Sequence, residues 1–357
     1  MPLRDPLRVL VVSGQTGTWP AQLLRAVEAD RDATVVGRVE PADALKSLAQ
    51  EHPDVVSLDM VGLEEDGRAA GLVREMLAIG PIPILLLVPS DQSRDASMAA
   101  VVAGAVEVMA SPARWDLPAG SELRKRLHVL ARLSVRRRDR VRRPAAREQR
   151  PMPPAPPRPN GSAPPPRGLE GVVGLAASTG GPPALARVLA GLGGLERPVV
   201  VVQHLQSGFV EGFLAWMRRE SSLPVELAVD GAPLKPGVVL VAPPGLQVSV
   251  RRGRRLSLRD EPVTLHRPSA DVLFHSMADS CGYAGIGVVL TGMGDDGAAG
   301  LLALRNSGGI TMAQDEATSA VYGMPKAARD NGGAARVLPL EEIAAAVLQA
   351  AQVQVPA

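Results

Sequence analysis

Short apolar runs alternate with amphipathic, helix-like stretches along almost the whole chain, and the alternation breaks once. RVLVV (8–12) precedes TWPAQLLRAVEAD, ATVVGRV (33–39) precedes PADALKSLAQ, DVVSLD (54–59) precedes GRAAGLVREMLAI, and IPILLLV (82–88) precedes SRDASMAAVVAG. AVEVMA (105–110) and a helix over 120–133 complete five strand–helix units. Strands that are apolar at nearly every position bury both faces. That predicts a parallel sheet with helices on each side, occupying residues 1–133.

The break is residues 134–167, SVRRRDRVRRPAAREQRPMPPAPPRPNGSAPPPR, where proline and arginine dominate and no apolar period survives. Such a stretch cannot bury enough surface to offset its ordering entropy, and it reads as an extended, partly polyproline tether. From 168 to 357 the alternation resumes. Strands are predicted at 172–177, 199–203, 238–242, 285–290 and 309–313, and helices at PPALARVLAGL, GFVEGFLAWMRR, SADVLFHSMADS, GAAGLLALRNS and LEEIAAAVLQAAQ. Pro182 just inside one helix and Ser269 before another are start signals. QVSVRRGRRLSLRD (247–260) predicts a β-hairpin closed by Gly253. The chain is thus read as two α/β domains joined by a linker, with no internal repeat beyond the strand–helix rhythm.

Composition narrows the function classes. One cysteine, Cys281, excludes a disulfide framework and a cysteine-based zinc site. Only three Trp, two Tyr and three Phe are present, too few for base-stacking platforms. The net charge of +2 conceals an asymmetry: residues 132–167 hold eleven Arg against two acids, leaving 28 basic and 35 acidic residues elsewhere. The folded parts are therefore mildly acidic, and a nucleic-acid footprint is not expected. No apolar run reaches the ~18 residues of a membrane helix, and the four-residue run before Ser13 is too short for a signal-peptide core. A cytoplasmic location without membrane insertion is the expectation.

In open parallel sheets, sites gather at the carboxyl ends of strands. In the second domain those ends carry Ser178-Thr179-Gly180-Gly181, His204, and Thr291-Gly292-Met293-Gly294-Asp295-Asp296-Gly297. A serine, a histidine and a carboxylate on one rim are the parts for acyl transfer. Serine is a weak nucleophile that needs a base, histidine titrates in the right range, and a carboxylate fixes the imidazole tautomer. Glycine-rich turns can aim backbone N–H groups at a developing oxyanion. Ala176-Ala177-Ser178-Thr179-Gly180 is mechanically like a nucleophile elbow, with Ala176 where that motif has glycine.

Each residue also has a plainer role. Ser178 could be a cap or turn serine, one aspartate could cap the following helix, and His204 could be a rim histidine. His266 is the rival base, in a triad of Ser178, Asp230 or Asp260, and His266. His275 reads as helix-face, and His52 and His128 lie in the other domain. The competing functions are a nucleotide or phosphate binder built on the glycine turns, for which no GxGxxG or GK[ST] is present, and a non-catalytic scaffold.

AASTGGPPAL, VVQHLQSGF, HRPSADVLFHS, VVLTGMGDDGAAGLLAL and AQDEATSAVYGMP, over about 172–325, resemble the catalytic domain of the chemotaxis protein-glutamate methylesterases. The resemblance implies Ser178 as nucleophile, His204 as base, Asp296 as the orienting aspartate, and the backbone N–H groups of Thr179 and Met293 as oxyanion donors. It implies a flavodoxin-like receiver of five parallel strands, followed by a doubly wound, mostly parallel esterase domain with a β-hairpin. The implied activity is hydrolysis of glutamyl methyl esters on chemoreceptor helices, with deamidation of receptor glutamines as a second activity. No cofactor or metal is implied. The implied partners are methylated receptor helices and a signalling kinase complex.

The first domain resembles the receiver that precedes the esterase in this family, with its chemistry eroded. Asp59 stands at the phosphoacceptor position. The acidic pair expected after the first strand is Ser13 and Gly14, the hydroxyl residue after the fourth strand falls near Val88, and the lysine before Pro112 is Ser111. Those acids hold the Mg²⁺ that neutralises phosphoryl-transfer charge, so Asp59 is expected to be non-functional as an acceptor.

Overall fold

The computed structural model describes residues 6–15, 18–63, 67–89, 94–142 and 171–353. The chain divides into two compact units, Met1–Glu148 and Gln149–Ala357.

In the first unit, β1 (Leu7–Val12), β2 (Ala33–Val39), β3 (Val55–Asp59), β4 (Ile84–Pro89) and β5 (Glu107–Ser111) form one sheet in the order β2-β1-β3-β4-β5. Every pairing is parallel, as the near-continuous apolar strands predicted. The connecting helices are α1 (Thr18–Glu28), α2 (Ala44–Glu51), α3 (Arg68–Ile79) and α4 (Arg94–Val102), and α5 (Leu117–Arg142) follows β5. Leu123, Leu127 and Leu130 of α5 recur at helical spacing and are buried against Val9, Val11 and Leu23. α5 runs nine residues into the segment read as an extended tether. The reason is local: arginine is a good helix former, and neither proline nor glycine intervenes before Pro144. The remainder of that segment, 143–167, lies outside the described residues.

In the second unit, β6 (Val173–Ala177), β7 (Val199–Gln203), β8 (Val225–Leu227), β9 (Val239–Val241), β12 (Ile286–Val289), β13 (Ile310–Gln314) and β14 (Arg336–Leu338) form a sheet in the order β14-β13-β12-β6-β7-β9-β8. All of its pairings are parallel. β10 (Gln247–Arg251) and β11 (Arg255–Arg259) are the predicted antiparallel hairpin, and Gly253 has φ 86° in its turn. The helices are α6 (Gly181–Ala190), α7 (Val210–Glu220), α8 (Ala270–Ser280), α9 (Ala298–Asn306), α10 (Met324–Asp330) and α11 (Leu340–Val353).

β8, β14 and α10 have no counterpart in the pattern analysis. The two strands are three-residue edges carrying Glu226 and Arg336, too short to display a period and suitably charged for exposed edges. The hairpin packs on α8: Val248, Val250, Leu256 and Leu258 share one core with Leu273, Phe274 and Met277. From β6 the chain moves to β7 on one side and later returns to β12 on the other. The crevice at the carboxyl ends of β6, β7 and β12 is therefore a topological switch point, where an open parallel sheet offers a binding site.

Candidate functional site

Ser178 leaves the end of β6 and is held there by its main chain. Its N–H donates to Thr291 O (3.0 Å), and its carbonyl accepts from Gly181 N (2.8 Å) and Gln203 Nε2 (2.9 Å). It is not a helix cap. The residue at the start of α6 is Gly180, at φ 73°, with no side-chain cap bond. A Cβ at Gly180 would sit 2.4 Å from Ala320 Cβ, so only glycine fits this tight turn. Gly292 allows a second close approach, since a Cβ there would meet Ser178 Cβ at 2.9 Å.

His204 follows β7, and its N–H donates to Ala177 O (3.1 Å), which fixes its backbone beside the serine turn. Its Nε2 lies 2.8 Å from Asp296 Oδ2. Nδ1 is buried and has no hydrogen-bond partner among the described residues. Asp296 is also not a cap for the helix that follows it, because that position is Gly297 at φ 91°. Instead its carboxylate meets the N-terminus of α8. It accepts from Ser269 Oγ (2.7 Å), Ala270 N (2.7 Å) and Asp271 N (3.1 Å). Burial pushes the Asp296 carboxyl up. The His204 hydrogen bond and charge, the Ser269 hydroxyl and the Ala270 amide outweigh that and hold it at about 2.

This depressed value carries a stability prediction. A carboxyl at 3.8 in the unfolded chain and about 2 in the native one adds stability present above the unfolded value and lost as pH falls toward 2. The contribution is roughly 2 kcal/mol. In urea titrations, the stability gap between the wild type and Asp296→Asn is expected to shrink by about that much between near-neutral pH and pH ~2. A gap that does not vary with pH contradicts the assignment.

Two amides on this rim have their directions fixed. A trans peptide is planar, so its N–H points opposite its C=O. The Ser178 carbonyl is tied by Gly181 N and Gln203 Nε2, which sets the Thr179 N–H. The Gly292 carbonyl accepts from Gly323 N (3.1 Å) and Met324 N (2.9 Å) at the start of α10, which sets the Met293 N–H. Thr291 joins the turns: its Oγ1 donates to Thr179 O (2.9 Å) and accepts from Val321 N (2.8 Å), and its N–H donates to Gln314 Oε1 (2.8 Å). Such fixed donors need no reorganisation when charge develops in front of them.

The rival groups are engaged elsewhere. Asp230 accepts from Leu258 N (2.8 Å) and pairs with Arg259 (2.8 Å), both on the hairpin. The His266 ring stacks on His204, with centroids 4.1 Å apart and planes at 10°. His275 is on the exposed face of α8, its Nδ1 2.8 Å from Asp271 O. Cys281 is buried, and burial pushes its thiol up to about 11, so it is no competing nucleophile. A cleft of about 500 Å³ lies on the aspartate side of the pair, lined by residues that include Thr264, His266, Ser269, Asp295 and Asp296.

In the first unit, Asp59 ends β3 fully buried. Its Oδ2 accepts from Ser13 Oγ (2.7 Å) and Gln15 Nε2 (2.8 Å), and its Oδ1 from Val61 N (3.3 Å). Neutral donors thus occupy the carboxylate from the side where a receiver has acids. Val88, near the end of the adjacent strand β4, and Ser111, at the end of β5 beyond it, are both buried.

Pattern reading singles out Ser178, His204 and the aspartate pair; it names Thr291 at a strand end without a role and gives no signal for the bonds of Gln203 and Gln247. Gln203 was visible only as the residue before the histidine. Ser269 was read as a helix start, and its hydroxyl does accept from Val272 N (3.4 Å). Its bond to Asp296 had no signal in the sequence.

The CheB methylesterase family model matches residues 173–347. Over its whole length the chain is similar to protein-glutamate methylesterase/protein-glutamine glutaminase 2 of Pseudomonas aeruginosa, at 39% identity over 97% of this chain and 97% of that protein. It is similar to the protein-glutamate methylesterase FrzG of Myxococcus xanthus, at 38% identity over 87% of this chain and 89% of that protein. Among solved structures it is similar to the Thermotoga maritima CheB methylesterase catalytic domain, at 32% identity and a TM-score of 0.48, covering 50% of this chain and 98% of that one.

Proposed function

This chain belongs to the CheB methylesterase family, and from that premise we propose that it removes methyl esters from glutamate side chains of chemoreceptors with Ser178, His204 and Asp296 as its triad. One observation carries the assignment: His204 Nε2 is bonded to a buried, ionised carboxylate while the opposite ring nitrogen is buried with no hydrogen-bond partner among the described residues. Asp296 therefore holds the ring proton on Nε2 and leaves the Nδ1 lone pair for the serine.

In the first step Ser178 Oγ attacks the ester carbonyl as its proton passes to His204. The tetrahedral oxyanion is held by the Thr179 and Met293 N–H groups. On collapse His204 returns the proton to the leaving methoxide, and methanol departs. Water, deprotonated by His204, then cleaves the acyl-enzyme to give the glutamate carboxylate and free Ser178. With a glutamine substrate the same sequence expels ammonia, which is the glutaminase activity that the relatives' names carry.

The substrate partner follows from the reaction, methylated receptor helices, and the family resemblance adds a signalling kinase complex as a further proposed partner. Among the described residues no helix is long and apolar enough to cross a membrane. A cytoplasmic location fits the substrate. The test is methanol release from methylated receptor, with a fluorophosphonate label on the enzyme. Label on Ser178 together with methanol release supports the esterase. A phosphate binder or a scaffold gives neither.

The receiver-like unit is expected not to switch by phosphorylation. Phosphoryl transfer to Asp59 needs a divalent cation between two anions, and Ser13 and Gly14 offer no carboxylate to hold it. Ser13 and Gln15 already donate to one oxygen of that carboxylate. Incubation with a small phosphodonor and Mg²⁺ should leave the intact mass and the esterase rate unchanged. A gain of one phosphoryl group that is lost in Asp59→Asn, with a faster esterase, would overturn this reading.

A further inference from the structure

We propose that Gln247, at the foot of the β10–β11 hairpin, is a positioning residue for the His204–Asp296 pair and acts through the 262–269 loop it fastens. The inference rests on the triad reading above.

Gln247 is 1% exposed. Its Nε2 donates to Pro262 O (3.1 Å), Thr264 Oγ1 (2.8 Å) and His266 O (3.1 Å). Its Oε1 accepts from Ser269 N (2.8 Å). The chemistry of these partners fixes the amide's orientation, since carbonyls only accept and a backbone N–H only donates. One side chain therefore gathers four points spread over residues 262–269. Thr264 closes the loop further, with its hydroxyl donating to His266 O (2.6 Å).

That loop reaches the catalytic pair twice. Through His266 it lays a flat ring on His204. Through Ser269 and the first amides of α8 it supplies three of the four hydrogen bonds on Asp296. The ring plane of His204 and the carboxylate that bonds its edge are thus set by one loop, and the loop by one buried amide. The hairpin is itself anchored to α8, because Val250 N donates to Ser276 Oγ (2.9 Å) and Ser280 Oγ to Val250 O (2.8 Å). Loop, helix and hairpin form a closed circuit around Asp296. This gives the hairpin, which stands apart from the main sheet, a task in the reaction: it keeps His204 from turning while Nδ1 takes up the serine proton and gives it back, Nε2–H staying on Asp296. Misplacement of a reacting group by about 1 Å costs on the order of a hundredfold.

The test uses the full chain, with Gln247→Leu and Thr264→Val compared with the wild type and with Ser178→Ala. Two readouts are taken: kcat for methanol release, and the ¹H–¹⁵N resonance of the His204 Nε2–H bonded to Asp296, in ¹⁵N-histidine-labelled protein. Gln247→Leu is expected to lower kcat by roughly ten- to a hundredfold and to shift or broaden that resonance. Thr264→Val, on an exposed residue, is expected to do both to a smaller degree. His266→Phe, which keeps a flat ring, should retain more activity than His266→Ala. Unchanged kcat and resonance in folded Gln247→Leu would overturn the proposal, and so would a loss of kcat with the resonance unmoved. If Gln247→Leu does not fold, Thr264→Val decides by the same two readouts. Full activity in Ser178→Ala would instead sink the triad reading, and the resonance would still report on Gln247.

Discussion

Ser178→Ala is expected to lower methanol release by on the order of 10⁵- to 10⁶-fold, the scale on which loss of a hydrolase nucleophile acts. The fold should survive. What the structure needs from position 178 is its N–H on Thr291 and its carbonyl under Gly181 and Gln203, and alanine supplies both. The cap of α6 is Gly180, so no helix end loses a partner. The residual rate reports on the Thr179 and Met293 donors and on substrate binding, which the substitution leaves in place. The measurement is paired: methanol from methylated receptor, and the unfolding midpoint. A variant that keeps near-wild-type release shows that another group attacks the ester. One that unfolds shows that the serine was structural after all.

How much of this was legible in the sequence depended on range. Five parallel strands in the first unit and the centre of the second sheet could be read because buried strands such as VVVVQ and VGLAA repeat apolar residues with no gap. The three-residue edges at Val225–Leu227 and Arg336–Leu338 could not, because they are too short and too little buried to show a period. Ser178, His204 and the aspartate pair were visible as polar groups where apolar strands stop. Which ring nitrogen of His204 meets the acid was not visible, because that depends on a bond across 92 residues of sequence. The place of His266 was hidden for the same reason: nothing local says that its ring lies on another imidazole. The extension of α5 to Arg142 shows the opposite limit, where a lack of apolar period reads as extended chain although arginine is a good helix former.

The two aspartates at 295 and 296 are expected to separate by several orders of magnitude. Asp296 receives four donors: His204 Nε2 and Ala270 N at Oδ2, and Ser269 Oγ and Asp271 N at Oδ1. Asparagine has one accepting oxygen. If it turns that oxygen to His204, its NH₂ opposes the Asp271 N–H at the start of α8. If it turns the NH₂ to His204, the imidazole must accept there and carry its proton on Nδ1, where Ser178 needs a lone pair. The second arrangement opposes the Ala270 N–H instead and leaves the tautomer wrong. In serine proteases that error costs about 10⁴ in kcat, and Asp296→Asn is expected to cost the same order. Asp295 is exposed on the wall of the cleft. Its carbonyl, which accepts from Ala298 N (3.0 Å), is retained in Asp295→Asn, so that variant should lose little kcat. The check is kcat for both variants beside their unfolding midpoints. A large loss at 295 and a small one at 296 would mean that the carboxylate serving His204 in solution is the neighbouring one, and that the turn after β12 sits one residue out of the register described.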